Sequence, residues 1–138
     1  MKTEIKEINK YVKNIQELWQ KFQSEYLTLS PKIIESLFNK IFDSIKIIND
    51  DVLYLQQTSA EFKEVMNQAI YRAHVIQWKL ELDNVQISID KFLEKIPSQE
   101  GIAELSKTIK GYLSKITFNI EDKFILISHK KSLSHEEK

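Results

Sequence analysis

Residues 5–29, IKEINKYVKNIQELWQKFQSEYLTL, decide the fold class. Their apolar side chains fall at Ile5, Ile8, Val12, Ile15, Trp19, Phe22, Tyr26 and Leu29, alternating steps of three and four. That spacing puts every one of them on a single face of an α-helix. Charged and amide residues occupy most positions between them, so the stretch predicts an amphipathic helix over Thr3 to Leu29. Such a face must be covered by another helix or another apolar surface.

Working outward, Leu29-Ser30-Pro31 punctuates the chain. A residue before proline is biased out of the helical region, and proline suits the first position of a new helix. Ser30 is positioned to cap that helix. From Lys32 to Ile96 the chain has neither Gly nor Pro. A second apolar seam runs Ile34, Phe38, Ile41, Ile45, Ile48, Val52 and Leu55. It continues through Ser59, Phe62, Met66, Ala69, Ala73, Ile76 and Leu80. Beyond Ile76 the better row becomes Trp78, Leu82, Val85, Ile89, Phe92 and Ile96. Read without a break, this is a helix of about 65 residues and roughly 95 Å. Asn49-Asp50-Asp51 joins three poor helix formers, and Thr58-Ser59-Ala60-Glu61 has the form of a capping box. Continuity is nevertheless the expectation, because Val52, Leu53 and Leu55 carry the seam past the first weak point.

Pro97-Ser98 closes that unit, and a third helix is expected from Gln99 to about Ile120. Its apolar positions are Ile102, Leu105, Ile109, Tyr112, Leu113, Ile116 and Ile120. Residues 116–127 also show strand-like alternation and β-branching, but a lone strand would lack a partner. The helix is therefore expected to run on to about Ser128, with 129–138 a polar, disordered tail. The fold expected is all-α: an elongated helical bundle or antiparallel coiled coil of about three helices, one very long. Residues 1–128 form its single domain.

Composition agrees with that class and excludes others. The 138 residues carry 20 Lys+Arg against 20 Asp+Glu, so the basic excess of a nucleic-acid binder is missing. Hydrophobic residues make up 42%, too many for a disordered chain. Two Gly and two Pro leave few turns, and the lack of Cys excludes disulfides and thiolate sites. No secretory h-region and no run of about 18 apolar residues is present, so a cytoplasmic location without a transmembrane segment is expected.

No pattern of catalysis or metal binding emerges. His74 stands on the expected long helix without a Glu-x-x-His or His-x-x-x-His partner, and His129 and His135 lie in the tail. The pairs Asp50-Asp51, Glu121-Asp122 and Glu136-Glu137 diverge by about 100° on a helix and read as solvated carboxylates. Gly101 and Gly111 stand alone, so no glycine-rich phosphate loop exists. Neither enzymatic activity nor a cofactor is expected. The aromatic residues Trp19, Phe22, Phe38, Phe42, Phe62 and Trp78 fall on or beside the apolar rows. They read first as core and otherwise as an interaction surface.

Ile15–Phe22 (IQELWQKF), Phe38–Asn67 and Ala69–Trp78 together resemble phasins, the small, Cys-poor, almost wholly helical proteins that coat polyhydroxyalkanoate granules. The resemblance covers about residues 10–95 and rests on size, amphipathic helices and scattered aromatics. The chain departs from many phasins in being richer in Ile and Lys, poorer in Ala, and without a Pro/Ala-rich tail. What the resemblance implies is a non-enzymatic coat on an apolar polymer or granule surface, contacted through the six aromatics above. The residues alone leave a second expectation open: a coiled-coil adaptor or chaperone binding a partner protein helix. Both readings expect a homo-oligomer, because the long helix has more apolar row than two short helices cover.

Overall fold

A computed structural model describes residues 2–57, 69–96 and 100–121 of the chain. Among these residues lie four helices: α1 (Lys2–Glu25), α2 (Pro31–Gln57), α3 (Ala69–Lys95) and α4 (Glu100–Ile120). No strand occurs among the described residues, and residues 116–120 belong to α4. The class is all-α, as the periodicity predicts.

The punctuation after the first seam acts as its residues suggest. α1 stops at Glu25, whose carbonyl accepts both the backbone N–H and the hydroxyl of Thr28, each at 2.9 Å. Ser30 then caps α2. Its Oγ accepts the N–H of Ile33 at 3.3 Å and its carbonyl accepts that of Ile34 at 3.0 Å.

The expectation of one very long helix is corrected. Among the described residues there are four helices rather than three, and two 27-residue helices, α2 and α3, stand where one of about 65 residues was expected. The chain reverses between them. Phe22 meets both Phe38, near the start of α2, and Phe92, near the end of α3. At the other end Trp78 donates to Asn9, while Asp51 lies beside Glu7. Asn49-Asp50-Asp51 stays helical inside α2. The Thr58–Glu61 capping box, Phe62, and everything expected of residues 122–138 lie outside the described residues.

The helices form two antiparallel hairpins, α1–α2 and α3–α4, laid side by side. α1 packs along α3 and α2 along α4, each pair parallel. The core repeats that arrangement residue for residue. The buried row of α1, Ile5, Ile8, Val12, Ile15, Trp19 and Phe22, matches Val75, Trp78, Leu82, Val85, Ile89 and Phe92 of α3. On α2, Phe38, Ile41, Ile45, Ile48 and Val52 match Ser106, Ile109, Leu113, Ile116 and Ile120 of α4. Ala73, Ile76, Leu80, Leu105 and Tyr112, expected in the seams, are exposed instead. A helix facing one core has room for one row, and α3 sets its row by Val75 and Trp78.

One core level is uneven. Three phenylalanines, Phe22, Phe38 and Phe92, pack ring against ring with centroids 4.7 and 5.4 Å apart. The corresponding position on α4 is Ser106, small enough to leave them space. Its hydroxyl is fully buried and has no hydrogen-bond partner among the described residues. A buried, unpaired hydroxyl costs about 1–3 kcal/mol. Ser106→Ala should therefore raise stability by about 1 kcal/mol, read as a higher urea midpoint. Ser106→Leu should lower it by about 1–3 kcal/mol through overpacking against the rings.

Candidate functional site

Part-buried side-chain hydrogen bonds between helices gather mainly on the α1–α3 seam, and Gln86 of α3 also donates to Thr117 of α4 at 3.3 Å. Trp19 of α1 donates its indole N–H to Ser88 Oγ of α3 at 2.9 Å, and Ser88 donates to Gln23 Oε1 at 2.8 Å. Reciprocally, Trp78 of α3 donates to Asn9 Oδ1 of α1, and Asn9 Nδ2 lies 3.5 Å from His74 Nδ1. The two tryptophans thus lock the parallel register from opposite sides. His74 is part of that lock.

Acidic residues collect where α1 begins and α2 ends. Burial, then the Glu7 carboxyl beside it and the charges of Glu4 and Asp50, push Asp51 up to about 7. No group of three or more His, Cys, Asp or Glu residues able to hold a metal occurs among the described residues.

A groove with room for a ligand lies between α2 and α4. Phe42, Ile45, Lys46 and Asn49 line it from α2, and Thr108, Tyr112, Lys115 and Ile116 from α4. Its volume is about 610 Å³. It follows from the packing: α1 and α2 touch along most of their length, whereas α2 and α4 touch over a shorter stretch. Ile45 and Ile116 belong to the core and form the floor. Phe42 and Tyr112 stand just outside the seam and meet edge to face at 5.9 Å, forming one wall. Lys46 and Lys115 stand at the rim, with Lys115 Nζ 5.8 Å from the Tyr112 ring. Neither lysine has an ion-pair partner among the described residues.

The six aromatics expected to form an interaction surface are divided by the fold. Trp19, Phe22, Phe38 and Trp78 are buried in the core. Their surface is taken up by other helices of the same chain, and the closed bundle offers none of it to a partner. Phe42 is half-buried and lines the groove. Phe62 lies outside the described residues. The groove also draws on Lys46, Thr108 and Lys115, which sequence reasoning did not single out, and on Asn49 and Tyr112, read there only as a weak helix former and a seam position. The signal available was the pair of neighbouring apolar residues in each helix, Ile41-Phe42 and Tyr112-Leu113, of which one turns to the core and the aromatic to the groove.

Comparison with family models, curated proteins and solved structures finds no match to this chain.

Proposed function

We infer that the chain is a non-enzymatic, cytoplasmic helical module that binds a partner protein by taking an amphipathic helix into the α2–α4 groove. One observation carries this reading: an apolar floor and aromatic wall edged by two lysines without acidic partners among the described residues. The groove follows two parallel helices for about two turns, about 12 Å, which suits a helix laid lengthwise. The chemistry of the occupant follows from the rim. It is a helix with an apolar row of Leu- or Phe-like residues flanked by Asp or Glu.

The test uses two synthetic amphipathic helices with the same leucine row, one flanked by Glu and one by Lys. Fluorescence anisotropy with the full chain should show the Glu-flanked helix binding more tightly, with the difference shrinking as salt is raised. Replacing both rim lysines, Lys46→Glu with Lys115→Glu, should reverse the preference by roughly tenfold, about 1.4 kcal/mol. Phe42→Ala with Tyr112→Ala should weaken both peptides. Equal binding of the two peptides, unaltered by the lysine variants, would contradict the reading.

A second reading is a phasin-like coat on polyhydroxyalkanoate granules. It is favoured by a row of apolar residues outside the bundle, Ile76, Leu80 and Ile87 of α3. In that reading the outward row, rather than the buried aromatics, first meets the polymer. Pelleting with polyhydroxybutyrate particles tests it: retention independent of salt would support a coat, and no retention would dismiss it. No helix among the described residues is long and apolar enough to cross a membrane.

A further inference from the structure

α3 is apolar on two opposite faces. Its buried row, Val75 to Ile96, faces the core, and Ile76, Leu80 and Ile87 face the other way, 55%, 54% and 51% exposed. Among the described residues no other helix covers this outer row. Along one edge of it run four charges, in order Arg72, Lys79, Asp83 and Asp90. On a helix these four lie within about 40° of one another, beside the apolar row. The opposite edge, Gln77, Asn84 and Lys91, has no such gradient.

We propose that the outer face of α3 pairs antiparallel with the α3 of a second copy, making the chain a homodimer. The charge order selects both the partner and the direction. A two-fold axis across the helices brings like edge against like edge while reversing direction. Arg72 and Lys79 of one copy then lie opposite Asp90 and Asp83 of the other, while Ile76 lies opposite Ile87. A parallel pairing would set the charged edge against the edge of Gln77 and Asn84 and match nothing. In the single chain, Lys79 bonds Asp83 at 2.8 Å, Asp90 takes Lys110, and Arg72 has no ion-pair partner among the described residues. The dimer supplies Arg72 with one. The α2–α4 groove is made of other helices, so the pairing neither uses nor needs it.

The experiment is a mass measurement by sedimentation, on the full chain and on surface variants. The wild type is expected at twice the 16.3 kDa chain mass. Leu80→Glu should return it to a single chain with its helical circular dichroism unchanged, since Leu80 is outside the core. A chain with Arg72→Glu and Lys79→Glu, and another with Asp83→Lys and Asp90→Lys, should each be monomeric alone and form a heterodimer when mixed. That selective pairing is the signature of the antiparallel edge match. A monomeric wild type at high micromolar concentration overturns the proposal, as does a dimer that survives Leu80→Glu or two charge variants that fail to pair. A monomer whose binding to polyester particles is lost with Leu80→Glu also overturns it, and hands the row to the coating reading.

Discussion

Phe22→Ala should lower the stability of the chain by about 3–5 kcal/mol, the cost of removing a fully buried phenylalanine where neighbours cannot collapse. Four aromatic rings surround Phe22: Trp19 at 5.5 Å, Tyr26 at 6.0 Å, Phe38 at 4.7 Å and Phe92 at 5.4 Å. Trp19 and Tyr26 also meet Phe92 edge-on, at 5.4 and 5.0 Å. These rings come from α1 and the turn that follows it, α2 and α3, so the cavity opens where three helices converge. Edge-to-face pairs add about 0.5–1.5 kcal/mol beyond area burial, which places this site towards the upper end of the range. Against a total stability of about 5–15 kcal/mol for a domain, such a loss leaves the bundle marginal. Urea denaturation should show the midpoint falling by about 2 M, with Phe22→Leu losing less than half as much. A loss under about 1 kcal/mol would mean that the three helices do not meet at Phe22.

Asn9→Ala should lower stability by about 2 kcal/mol, far more than its partly exposed side chain would suggest. The reason is the group left behind. Trp78 is buried, and its indole N–H finds its acceptor in Asn9 Oδ1. Removing that acceptor strands a buried donor, at about 1–3 kcal/mol. The position of His74 Nδ1, 3.5 Å from Asn9 Nδ2, adds a weaker second contact that is lost as well. A double-mutant cycle with Trp78→Phe separates the terms. Trp78→Phe removes the donor, so adding Asn9→Ala to it should cost clearly less than Asn9→Ala alone. Additive losses in denaturant midpoints would show that the two side chains act independently.

Much of the fold was legible as periodicity. The 3,4 spacing in α1 names its buried face from Ile5 to Phe22, and Leu29-Ser30-Pro31 marks the first turn to within a few residues. The chain reversal was legible only in hindsight. Ile76 and Leu80 continue the spacing of Leu55, yet Val75 and Trp78 are the residues that turn inward. That slip of phase is what two helices facing one core independently produce, whereas one continuous helix would keep its phase. Asn49-Asp50-Asp51 stays helical, as the seam through Val52 and Leu55 predicts, since packing of Ile48 and Val52 outweighs weak local propensity. The candidate site was less legible still. An apolar row shows that something must cover it but not what does. Trp19, Phe22, Phe38 and Trp78 are covered within the chain, while Phe42 and Tyr112, just outside the buried rows, edge the groove. Lys46 and Lys115 look like any surface lysines until α2 and α4 are set side by side.

Both functional readings depend on the chain folding back between α2 and α3, because only then are the aromatic rows closed to a partner. The distance between α1 and α3 tests this most directly. The chain has no cysteine, so Lys13→Cys with Asn84→Cys takes two spin labels and nothing else. Labelled chain is diluted into unlabelled chain so that only distances within one molecule are read by double electron–electron resonance. With neighbouring helix axes about 8–10 Å apart, the labels should lie about 15–25 Å from each other. In an unbroken α2–α3 helix, Asn84 would stand about 55 Å along the axis from Ile48, the α2 residue level with Val12. A distribution centred near that longer distance would contradict the closed bundle and return the aromatic rows to the surface.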